Sequence, residues 1–101
     1  MNLMDLRGRI DAVDERLVEL FCERMRLAGA AGVAKSRLGL PLSDDAREQE
    51  ISARAAQMAG KKLAPYARQF CKALFTIAKE YQVHQSVIVR EPEKEDEPAR
   101  K

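Results

Sequence analysis

Arg24 and Lys35 lie eleven residues apart in a stretch that reads as one long helix. At ~100° per residue they point within about 20° of each other, roughly 16 Å apart along the axis. Both side chains are long enough to reach a shared point. Ala28 and Ala31 lie between them on that face, with Gly32 nearby. Two cations over a floor of small residues leave room for an anion. The plainer reading is that the small residues only let helices pack closely.

Arg24 also interrupts an apolar heptad. Leu3, Leu6, Ile10, Val13, Leu17 and Leu20 precede it, and Leu27, Ala31, Ala34 and Leu38 follow. Alternating steps of three and four mark the seam of a long helix packed on another helix. A buried guanidinium without a partner costs several kcal/mol, so Arg24 needs an anion. That anion is either a structural carboxylate or a ligand.

Further along, Asp44, Arg47 and Glu48 share one helical face beside Ile51. They read either as a solvated cluster at a helix start or as the polar wall of a pocket. Gln85 extends the apolar line Ala67, Phe70, Leu74, Ile77 and Tyr81, one turn after the tyrosine. An amide on a core stripe needs hydrogen-bond partners, structural or otherwise. His84 reads as a surface residue. Arg7 precedes Arg24 by seventeen residues, about 25 Å along the same rod. It cannot reach a small ligand held by Arg24 of its own chain. In an antiparallel pair of such helices, the partner's Arg7 could.

These residues need rigid helices to hold them. The first is expected from about Leu3 to Ser36, a rod of about 50 Å. A compact domain of this size has a radius of gyration near ~13 Å, so the remaining chain cannot cover such a rod. Either the helix breaks, at Gly29 or Gly32, or a second chain covers it. The second alternative is preferred here, as an obligate dimer. Gly39 and Pro41 end the helix. Ser43 is expected to cap a second helix, with Asp44 and Asp45 in its first turn, running to about Ala59 before Gly60. A third helix should begin near Leu63 or Pro65. The expected fold is all-α, with three helices per chain in a homodimer. Residues 1–90 would form the domain and 91–101 a charged, disordered tail containing Pro92 and Pro98.

Bulk properties agree. The 101 residues are 46% hydrophobic and 34% charged, with no tryptophan, which suits one small helical domain. A net charge of +2, with acids interleaved among bases and few aromatics, argues against nucleic acid. Cys22 and Cys71 lack metal-type spacing and read as reduced packing residues. Asp5 and Arg7 interrupt the N-terminus, so no signal peptide is expected, and no apolar run approaches the ~18 residues of a membrane span. The expected location is the cytoplasm, without membrane attachment.

Taken together, the chain resembles the all-helical, intertwined-dimer class of chorismate mutases over roughly Leu3 to Ile88. LRGRIDAVDERLVELFCERMRLAGAAGVAK looks like that family's long first helix, and DDAREQE like its second-helix motif. Arg7, Arg24, Lys35, Asp44, Arg47, Glu48 and Gln85 resemble its ligand-binding set in order and spacing. Tyr81 departs from the small hydroxyl residue often found one turn before the glutamine. An aromatic there is similar to isochorismate-pyruvate lyases of the same fold, which puts substrate choice in doubt.

The resemblance implies the [3,3] rearrangement of chorismate to prephenate, a step towards phenylalanine and tyrosine. It implies no metal and no cofactor. The partner's Arg7 and the chain's own Arg24 would each hold a carboxylate of the dianion. That clamp selects the compact reacting conformer. Lys35 and Gln85 would donate to the ether oxygen as charge grows on it. Glu48 would accept from the ring hydroxyl, with Asp44, Arg47 and Tyr81 shaping the pocket. A neutral amide donor implies activity roughly flat from about pH 6 to 8. The alternatives are an isochorismate-pyruvate lyase, a mutase of an amino-substituted chorismate, and a non-catalytic helical dimerisation module.

Overall fold

The computed structural model describes the backbone of residues 1–90 and the side-chain surroundings of residues 1–85. The expected tail at 91–101, and the surroundings of Ile88, lie outside the described residues. Three helices follow in order: α1 (Leu3–Leu38), α2 (Asp45–Ala59) and α3 (Ala64–Arg90). No strand occurs among the described residues. No described helix is long and apolar enough to cross a membrane.

The caps explain where each helix starts and stops. The Asn2 side chain accepts from the Asp5 amide at 2.8 Å, filling one of the orphan donors of the first turn of α1. At the other end Gly39 adopts φ 71°, the left-handed conformation that other residues resist. Its amide donates to the Ser36 carbonyl, and the Leu40 amide donates to the Lys35 carbonyl at 2.8 Å. These two bonds form a Schellman stop. Asp44, not Ser43, caps α2: its carboxylate accepts from the Arg47 amide at 3.1 Å. An aspartate there satisfies the same amide and adds a charge favourable to the helix dipole. Gly60, at φ 86°, ends α2, and its carbonyl accepts from the Ala64 amide as α3 begins.

Neither Gly29 nor Gly32 breaks α1, which runs unbroken through both. They serve instead as the contact with α3. A Cβ at Gly29 would lie 2.9 Å from Tyr81 Cε2, and one at Gly32 would lie 2.8 Å from Gln82 Cγ. The two helices therefore approach more closely than any side chain at these positions would permit. α3 packs against both α1 and α2, which have no comparable contact with each other. The most buried side chains of α3 are accordingly Cys71, Ala78 and Gln82, with Ala56 opposite on α2. The bulkier Phe70 and Ile77 remain partly open.

The first half of α1 has no cover among the described residues. Ile10 is 56% exposed and Leu17 48% exposed, and Leu3, Leu6, Val13 and Leu20 are likewise open. The expected seam is thus laid out along α1 but faces solvent, even beyond Arg24, where Leu27 is open too. Cys22 is exposed rather than packed, because it lies on the uncovered part of α1, whereas Cys71 is buried. His84 is exposed, as its position off the stripe suggested.

Candidate active site

One cavity of about 310 Å³ opens where the C-terminal half of α1, the start of α2 and the middle of α3 meet. Its size falls at the lower end of small-ligand sites. Arg24, Ala28, Ala31 and Lys35 form the α1 wall, with Leu27 at its edge. Leu42 in the connecting loop, then Asp44, Arg47, Glu48 and Ile51, form the α2 wall. α3 supplies Phe75, Ala78, Lys79 and Gln82. The eleven-residue separation of Arg24 and Lys35 does place both on the same cavity, over the two alanines.

Several of these polar groups are already tied down. Lys35 Nζ donates to the Leu42 carbonyl at 3.1 Å, joining the end of α1 to the loop that enters α2. Gln82 is 6% exposed, and its Nε2 donates to the Ala28 carbonyl at 3.0 Å across the α1–α3 contact. An amide nitrogen carries two donor hydrogens, and among the described residues this is the one bond that Gln82 Nε2 makes. Glu48 Oε2 pairs with Lys79 Nζ at 3.0 Å, with side chains 25% and 36% exposed. Arg47 reaches outward to Glu50 at 3.3 Å in an open ion pair, which contributes little to stability.

The charge of the cavity follows from this roll. Arg24, Lys35, Arg47 and Lys79 face Asp44 and Glu48, a formal excess of two positive charges. In a partly desolvated cleft such an excess attracts a small dianion.

Three residues singled out in the sequence lie elsewhere. Gln85 is not on this cavity: its Nε2 donates to the Tyr81 hydroxyl at 2.8 Å, and both side chains pack against Gly29. Tyr81 therefore does not narrow the pocket. The glutamine that lines it is Gln82, three positions earlier in the same helix. The line drawn through the large apolar residues of α3 marks a partly open face. The most buried positions of α3 are Cys71, Ala78 and Gln82; Gly32 admits the Gln82 stem, while Gly29 takes the edge of Tyr81. Gly32 was the available signal, since a glycine in mid-helix leaves space for a side-chain stem from the facing helix, here that of Gln82. Lys79, also missed, had no such signal, as its pairing depends on how α2 and α3 meet. Arg7 sits on the exposed first half of α1, far from the cavity of its own chain.

Fold and cavity together define a class: small all-helical proteins with a cationic interhelical cleft suited to a compact anion. The chain belongs to the chorismate mutase type II family, whose model matches residues 6–83. The matched span includes Gln82 and stops short of Gln85. A chorismate mutase from Methanocaldococcus jannaschii is 36% identical over 50 residues, which is 50% of each protein. A bifunctional chorismate mutase/prephenate dehydratase from Aquifex aeolicus is 43% identical over 50 residues, covering 50% of this chain and 14% of that protein. A 3-dehydroquinate dehydratase from Pyrobaculum aerophilum is 34% identical over 77 residues, covering 76% of this chain and 25% of that protein. The matches thus take in half or less of the length of these relatives. No solved structure matches the chain significantly.

Proposed function

We propose that the protein is a chorismate mutase, converting chorismate to prephenate as a homodimer in the cytoplasm. The observation that carries this reading is the convergence of Arg24, Lys35, Glu48 and Gln82 on one cavity with an excess of positive charge. The rearrangement is unimolecular, so an enzyme need only hold the reacting conformer and stabilise the charge that develops.

Arg24 would hold one carboxylate through its planar fork. Arg7 of the partner subunit would hold the other, since no Arg7 reaches the cavity within one chain. The uncovered apolar seam of α1 supports a second copy of the chain there, because large open apolar patches are characteristic of interaction surfaces. Lys35 and Gln82 would donate to the ether oxygen as its bond to carbon breaks, Gln82 taking the part that the family resemblance implied for Gln85. Both are fixed by bonds to main-chain carbonyls, which limits reorganisation during the reaction. Glu48 would accept from the ring hydroxyl, and Asp44 and Arg47 would border that end of the cavity. A ~10⁶-fold acceleration needs about 8 kcal/mol, within reach of several charged contacts in a dry site.

The lyase reading drew on Tyr81, which is not among the lining residues, so it loses its particular support. A purely structural dimerisation module leaves the lining of the cavity without a purpose. The deciding experiment assays the purified protein with chorismate and isochorismate side by side. Prephenate from chorismate is the expected product. Pyruvate release from isochorismate without prephenate formation would overturn the proposal.

A further inference from the structure

Glu48 alone does not distinguish a ring hydroxyl from a ring amine. A carboxylate accepts from either, and it attracts a protonated amine more strongly than a neutral hydroxyl. In this chain Glu48 is not alone. Lys79 Nζ lies 3.0 Å from its Oε2, and both side chains line the same cavity.

We infer that Lys79 is a specificity-determining residue, which makes the cavity select a hydroxyl-bearing ring over one carrying an ammonium. This rests on the reading above, in which Glu48 meets the ring substituent. The ammonium place on Glu48 is already filled by Lys79. A second ammonium on the free oxygen would sit within a few ångströms of the first, where like charges repel strongly in a partly desolvated site. It would also lose its own hydration, with the compensating attraction of Glu48 shared with Lys79. A hydroxyl carries no charge, so Lys79 does not repel it. The free lone pairs of Glu48 remain to accept from it. Lys79 thereby acts as a built-in repulsive element, which specificity often requires in addition to attraction.

Lys79 also contributes to the positive excess of the cavity, so its removal should weaken every anionic substrate. The informative quantity is therefore a ratio. Steady-state kcat/KM would be measured for chorismate and for its analogue with an amine in place of the ring hydroxyl, in the wild type, Lys79→Met and Lys79→Arg. The wild type is expected to prefer the hydroxyl. In Lys79→Met that preference should shrink by about tenfold or more, mainly through KM for the amine, and Lys79→Arg should restore it. An unchanged ratio in Lys79→Met would overturn the inference, and would mean that Lys79 only attracts anions.

A binding arm separates this from the mutase proposal. Two unreactive cyclohexene dicarboxylates, one with a hydroxyl and one with an amine at the matching carbon, would be titrated calorimetrically into the same three proteins. If no variant turns over chorismate, the mutase reading fails, yet the binding ratio still decides the role of Lys79. The same Met-versus-Arg pattern supports it, and equal ratios in all three overturn it.

Discussion

The Gln82 side chain donates to the Ala28 carbonyl, a bond that spans 54 positions of sequence and crosses the α1–α3 contact. Its place beside the cavity depends on Gly32, whose missing Cβ leaves space for Gln82 Cβ and Cγ. Gln82→Ala should cost roughly 10²–10³-fold in kcat if the second amide hydrogen serves the ether oxygen. A chorismate progress curve checks this. A loss below threefold would remove Gln82 from the chemistry.

The same position offers a test by pH. An amide donates whatever the pH, whereas a carboxyl must first take up a proton. Gln82→Glu should be impaired near neutrality and recover as the pH falls, when the carboxyl becomes neutral. The wild type should stay roughly flat between about pH 6 and 8 with respect to this donor. Two parallel pH–rate profiles suffice. A variant profile as flat as the wild type would count against the role.

Gly32→Ala should be destabilising by about 1–3 kcal/mol, because the new methyl group meets the Gln82 stem and then the α3 backbone. Thermal denaturation would show a lower midpoint, and activity should fall with it. An unaltered midpoint would mean that the α1–α3 contact is looser than these distances indicate.

Arg24→Ala and Lys35→Ala should each abolish measurable turnover while circular dichroism remains helical. Lys35→Ala also frees the Leu42 carbonyl, so it alone should loosen the loop between α1 and α2. Proteolysis in the 39–44 segment would detect that difference. Substantial activity in either variant would refute the assigned roles.

Arg7→Ala should be inactive alone, yet mixing it with Arg24→Ala should restore activity. In the mixed dimer one site keeps the Arg24 of one chain and the Arg7 of the other. Random reassembly should yield about a quarter of wild-type activity. No recovery after verified subunit exchange would place Arg7 outside the site. Leu17→Asp, on the open seam, should abolish the dimer in sedimentation, since it would leave a carboxylate unpaired inside the interface.

The sequence made the helices legible because its signals are local. The heptad, Gly39, Pro41 and Gly60 mark the elements to within two residues, and capping differs only by the step from Ser43 to Asp44. The α1 and α2 walls of the cavity were legible for the same reason. Arg24 and Lys35 share one helix, and Asp44, Arg47 and Glu48 share another, so periodicity alone fixes their facing. α3 was harder. Which of its faces turns inward is set by the partner helices: Gly32 takes the stem of Gln82, while Gly29 takes the edge of Tyr81. Gln85 and Gln82 differ by less than one turn, but that difference decides which amide meets the cavity. Lys79–Glu48 is a relation between helices and has no trace in the spacing of either.

α1 and α2 meet only through α3 and the short loop held by Lys35, so the width between the two cavity walls is set by α3 as a shim. Cys71 gives it its thickness, with the buried Ala56 on the α2 side. A single added methyl group at either would reset the gap between Arg24 and Glu48 without altering one group that lines the cavity. Preference for a larger or smaller ring can therefore drift through substitutions on the dry side of α3, where a search confined to the cavity lining would never look.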